Sequence, residues 1–113
     1  DTLPTLRSLR ALGVRAVVLS NIGIDIRPLL ASHGISSLVE GAVLSYEVGV
    51  AKPDPAIFQR ALSVLDVPAE RALMVGDSWL DDGGAAALGI RTLLLPRTRG
   101  PIHGLDLVLR LFG

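Results

Sequence analysis

Residues 75 to 89, "VGDSWLDDGGAAALG", place three carboxylates, Asp77, Asp81 and Asp82, within six consecutive positions at the end of an apolar run. Like charges that close repel, and their ionised forms are comfortable together only where a cation or hydrogen-bond donors offset them. The stretch therefore asks for a partner, although Asp81 or Asp82 could equally serve as a plain cap for the next helix. Lys52, in "AKPDP", precedes a helix start and so sits at the wrong end of the helix dipole for a cation; it is better matched to a facing anion than to water. Ser20 and Asn21 end the apolar "VVLSN", where a Ser-Asn pair reads by itself as a cap.

The elements that must position these groups follow from the periodicity. Leu3, Leu6, Leu9 and Leu12 recur every three residues along a helix that Asp1 can cap and Gly13 can end. An apolar, β-branched run predicts a strand over about residues 15 to 20, followed by a helix from Ile24 to His33 that Gly34 stops. A weaker strand falls near residues 39 to 45. "PDPAIFQRALSVLD" is the clearest helix, with Asp54 at the cap, Pro55 in the first turn, and Ile57, Phe58, Ala61, Leu62 and Leu65 as its stripe. "RALMVG" predicts a strand ending just before Asp77, the Gly- and Ala-rich piece to Gly89 a short helix, "IRTLLL" a strand, and "GLDLVLRLFG" a closing helix. Apolar strands alternating with helices imply a single α/β domain with a doubly wound parallel sheet, whose ligands bind beyond the carboxyl ends of the strands. Ser20 and Asp77 both stand at such ends.

The bulk composition narrows the function classes. Of 113 residues half are hydrophobic, and eleven basic residues balance eleven acidic ones, so no global field would draw nucleic acid or an anionic membrane. The absence of cysteine removes thiolate and disulfide chemistry, and the apolar runs are too short to span a bilayer; a cytoplasmic location is the expectation.

Three ordered elements, "VVLSN", "YEVGVAKPDPAIF" and "LMVGDSWLDDGGAAALG", make the chain resemble the haloacid dehalogenase-like hydrolases, in their phosphatase branch, from Asp1 to about Leu95. The resemblance implies a Rossmann-like core and hydrolysis of a small phosphomonoester, a phosphorylated metabolite. It implies Mg²⁺ bound by Asp77 and Asp81, with Asp82 fitting the variant one residue longer. Asp81 is favoured because counting from it puts Gly84, Ala85 and Gly89 where the family has its Gly-Ala and terminal Gly. Ser20 and the Asn21 N–H would bind phosphate, and Lys52 would neutralise the phosphate and the attacked carboxylate. The dehalogenase branch is disfavoured, since a second aspartate after "GDS" suits a metal that those enzymes do not need.

One departure is larger than any agreement. The family's nucleophile is the first aspartate of an Asp-x-Asp pair, and no two aspartates here lie two residues apart. The sequence thus reads as the carboxyl-terminal part of a core, lacking its first, central strand and its cap, and inactive alone. Without that strand two half-sheets would have open inner edges. Either the inner strands pair directly, or a second copy or other chain fills the gap, or an N-terminal segment of a longer protein does; a dimer with paired inner edges is the expectation for a natural protein that begins near Asp1. The rival reading is a non-catalytic interaction module on the same fold, or half of a split enzyme. His33, His103, Arg97 and Arg99 read as surface or capping residues, and Trp79 as either lining the site entrance or packing over the acidic loop.

Overall fold

The computed structural model describes residues 2–95 and 105–111. Asp1, Arg97, Arg99 and His103, and the ends of the expected closing helix, lie outside the described residues. Along the chain run α1 (Thr2–Ala11), β1 (Val18–Ser20), α2 (Arg27–Ser32), β2 (Ala42–Leu44), α3 (Ser45–Val48), α4 (Pro55–Leu65), β3 (Leu73–Gly76) and β4 (Arg91–Leu94). Short 3₁₀ segments cover Ser36–Leu38, Ala69–Arg71, Asp82–Leu88 and Leu105–Leu111. The last two of these are the short helix and the described part of the closing helix expected from the sequence, wound as 3₁₀.

Local chemistry explains where the elements begin and end. Gly13 and Gly34 stop α1 and α2 with positive φ, +77° and +75°, a conformation glycine adopts without strain. In α1 a strict three-residue spacing drifts about 60° per step around the helix. Leu12 has therefore rolled off the packed side and is 53% exposed, while Thr5 and Leu9, four apart, are the buried pair. α2 starts at Arg27 rather than at Ile24, because the Asp25 carboxylate accepts the Arg27 N–H and holds the preceding residues in a turn. The Arg27 guanidinium also bonds Glu47, which raises its already high pKa, and so ties the start of α2 to α3. α4 matches its prediction. Asp54 accepts the Ala56 N–H at 2.9 Å, Pro55 fills the first turn, and Ile57, Phe58 and Ala61 are buried.

β1 pairs in parallel with β2, Val18 opposite Ala42 and Ser20 opposite Leu44, and β3 pairs in parallel with β4, Leu73 opposite Arg91 and Gly76 opposite Leu94. The two pairs form separate sheets among the described residues, so β1 and β3 do not pair directly. What joins them is a shared core. Phe58, Ile57 and Ala61 of α4 gather Val43 from β2, Ala72, Ala85 and Ile90, with Leu19 of β1 and Met74 of β3 packed onto the same cluster. Leu9 and Val108 are buried where α1 meets the 105–111 segment. No helix among the described residues is long and apolar enough to cross a membrane.

Candidate functional site

The carboxyl ends of β1 and β3 both reach the loop that carries Lys52. From β1, the Asn21 side-chain amide forms a two-way clasp on the Lys52 backbone: Asn21 Nδ2 donates to the Lys52 carbonyl at 3.0 Å, and the Lys52 N–H donates to Asn21 Oδ1 at 2.8 Å. From β3, the chain turns sharply at Ser78. The Ser78 carbonyl accepts the Asp82 N–H at 2.8 Å, and the Ser78 hydroxyl accepts the Asp81 N–H at 3.2 Å. That turn folds Asp82 back under the strand end.

Asp82 is the hub of the site. Its Oδ1 takes a hydrogen bond from Lys52 Nζ at 2.5 Å, and its Oδ2 accepts from the Asp77 and Ser78 N–H groups at 3.1 and 3.0 Å. The carboxylate is only 3% exposed. A buried charge must be paired and hydrogen-bonded, and this one is both. Two glycines allow the approach. A Cβ on Gly76 would overlap the Asp82 carboxylate, and one on Gly84 would come within 2.7 Å of the Pro53 ring, which follows the cis Lys52–Pro53 bond.

Three of the five expected site residues, Asn21, Lys52 and Asp77, are thus linked through one network: Asn21 to the Lys52 backbone, Lys52 to Asp82, and Asp82 to the Asp77 backbone. Ser20 adjoins it at the end of β1, half-buried. It is Asp82, rather than Asp81, whose carboxylate is drawn to Lys52; Asp81 is half-buried on the outer side of the turn and enters through its backbone N–H. Ser45 is a positioning residue that the sequence reading did not single out. Its hydroxyl accepts the Ile22 N–H at 2.8 Å and donates to the Ile22 carbonyl at 3.0 Å, fixing the loop just beyond Ser20 and Asn21. Only its place immediately after a strand hinted at this. Trp79 is 73% exposed, so it projects from the acidic loop instead of packing over it, and His33 is exposed at the end of α2.

As donors for a cation, the residues present suit a hard one. Both Asp82 oxygens are engaged, Asp77 and Asp81 flank it at the strand end, and no cluster of three or more acidic, histidine or cysteine groups forms among the described residues. Two carboxylates with water and a substrate oxygen is the partial ligand set that Mg²⁺ accepts. Lys52 uses one of its three N–H donors on Asp82, which leaves donors for an anion.

Comparison with known proteins agrees with this architecture. The haloacid dehalogenase-like hydrolase family profile matches residues 1–89, and the chain belongs to that family. It is 39% identical over 108 residues to haloacid dehalogenase-like hydrolase domain-containing protein 3 of Danio rerio, covering 95% of this chain and 45% of that protein. It is 32% identical over 103 residues to (S)-2-haloacid dehalogenase 1 of a Pseudomonas species, covering 89% and 45% respectively. Among solved structures, a haloacid dehalogenase-like phosphatase from Thermococcus onnurineus superposes with a TM-score of 0.85 at 28% identity, over all of this chain and 57% of that one. The chain therefore spans under half the length of these two relatives and somewhat more of the structural neighbour.

Proposed function

We propose that this chain carries the phosphate- and metal-holding part of a Mg²⁺-dependent phosphohydrolase acting on a small phosphomonoester. The single observation that supports it most is the buried Asp82 carboxylate, which aims the Lys52 ammonium at the strand ends while drawing in the Asp77 backbone from the opposite side. Ser20, the Asn21 N–H and Lys52 would hold the phosphate; Asp77 and Asp81 would hold the ion. When bound, Mg²⁺ would offset the negative charge of the phosphoryl oxygens. The chain's own contribution is orientation and charge, because it contains no Asp-x-Asp pair to attack phosphorus. Alone, it is expected to bind and not to turn over.

The test is a calorimetric titration of the 113-residue chain with inorganic phosphate, with and without Mg²⁺. Mg²⁺ should tighten phosphate binding severalfold, and Asp77→Asn should remove that gain. p-Nitrophenyl phosphate should stay intact. Turnover abolished by Asp77→Asn, or phosphate binding indifferent to both Mg²⁺ and Lys52→Ala, would overturn the reading. A second reading, hydrolysis of a haloacid, is favoured by one observation: Asp82, one of the three acids of the loop, is spent on Lys52 rather than on a metal. That reading requires no Mg²⁺ effect at all, and the retained Asp77 and Asp81 weigh against it.

A further inference from the structure

The loop after β3 carries two large apolar side chains among its carboxylates. Trp79 is 73% exposed and Leu80 61% exposed, and they stand between Asp77 on one side and Asp81 and Asp82 on the other. Burying an indole takes about 150–250 Å² of largely apolar surface out of water, so leaving it outside forgoes a large gain. The turn dictates that exposure. The Ser78 carbonyl accepts the Asp82 and Gly83 N–H groups, the Ser78 hydroxyl accepts the Asp81 N–H, and Asp82 Oδ2 accepts the Ser78 N–H. These bonds close the backbone around residues 79 and 80 and hold them at the crest of a turn whose base is the Asp82–Lys52 bridge.

A phosphate held by Ser20, the Asn21 N–H and Lys52 at the carboxyl ends of the strands directs its organic group away from the sheet, among the loops that follow them. In the β3 loop that group meets carbon. Both Asp82 oxygens and the Ser78 hydroxyl are engaged within the turn, while the side chains at the crest are an indole and an isobutyl group. A polyhydroxylated leaving group would find few partners there, whereas a flat apolar one would cover the indole and shed water from both surfaces. Resting on the phosphate-holding reading of the site, we propose that Trp79 is a specificity-determining residue: its ring stacks on an aromatic leaving group, with Leu80 beside it, so that the site prefers aryl phosphomonoesters to polyhydroxylated ones.

A protein partner fits this crest less well. A stable interface takes roughly 800 Å² from each side, more than two side chains supply. Charged residues are also depleted at the centres of such interfaces, and carboxylates bracket this pair on both sides.

The test uses the chain's single tryptophan as its own probe. In the presence of Mg²⁺, phenyl phosphate, glycerol phosphate and inorganic phosphate are titrated into the 113-residue chain by calorimetry, with tryptophan emission followed in parallel. Phenyl phosphate should bind about fivefold tighter than the other two and change the emission, which inorganic phosphate should not. Trp79→Ala should bring phenyl phosphate to the affinity of inorganic phosphate, and Trp79→Phe should keep most of the preference. Leu12→Ala, at an exposed position just past the end of α1, should keep all of it. Failure of inorganic phosphate to bind would remove the phosphate site and the role of Trp79 with it. Phosphate binding without a preference for phenyl phosphate, a preference that survives Trp79→Ala, or one lost equally in Leu12→Ala, would overturn the role of Trp79 alone. Emission indifferent to bound phenyl phosphate would do the same, even if the alanine variant failed to fold.

Discussion

A carboxylate that is almost wholly buried and accepts from two backbone N–H groups and one ammonium is holding its neighbours in place as much as it is being held. Removing one member of such a pair strands a charge, which costs roughly 3–5 kcal/mol, whereas replacing both with apolar residues of similar volume is often neutral. Asp82→Ala should therefore lower stability by about 3 kcal/mol or more, measured by urea unfolding. The double variant Lys52→Met with Asp82→Leu should recover most of that loss while binding no phosphate. Equal losses in the single and double variants would mean that the pair's charge is not what matters there. Which of the two adjacent aspartates turns inward was not legible in the sequence. Counting to Gly84 and Ala85 bears on which of them would hold a metal; which one turns inward is decided by the turn at Ser78, whose carbonyl and hydroxyl accept from residues 81 to 83 and roll Asp82 underneath. That is a three-dimensional preference that spacing along the chain does not encode.

At the scale of elements, what was legible was what is locally determined. α4 carries its cap, its proline and its stripe within a dozen residues, so its bounds follow from the sequence. α2 was read as longer than it is because an Asx turn at Asp25 competes with helix, and α3 went unread because Ser45 bonds to Ile22, more than twenty residues away. The Asn21–Lys52 clasp is of the same long-range kind, joining the loop after β1 to the loop before α4. Its two bonds are solvent-exposed, so Asn21→Ala should cost only about 1–2 kcal/mol of stability. Its effect on the site should be larger, because the Lys52 backbone loses the contact that aims its side chain. Phosphate affinity should fall severalfold, with the circular dichroism spectrum unchanged. If Asn21→Ala binds phosphate as the unaltered chain does, Lys52 is aimed by Asp82 alone.

At the scale of the whole molecule, the parallel α/β class was legible from apolar strands alternating with helices. The division into two sheets could only be suspected from the missing Asp-x-Asp segment. Among the described residues no ladder joins β1 and β3, so cooperativity has to come from elsewhere, and both the Lys52–Asp82 bridge at the rim and the α4 core beneath can supply it. The core is the stronger. Phe58 is 1% exposed and belongs to a cluster with members from β2 and from the segments before β3 and β4, whereas Leu9 packs at the α1 junction with 105–111. Phe58→Ala should cost about 3–5 kcal/mol, and the loss should appear in both half-sheets together, with exchange at Val43 and at Met74 accelerating by a similar factor. Leu9→Ala removes comparable apolar area without touching that cluster, so Val43 should be spared relative to Phe58→Ala at equal global destabilisation. Acceleration confined to the β3–β4 pair in the Phe58 variant would show that α4 does not couple the halves and that the rim bridge carries the coupling instead.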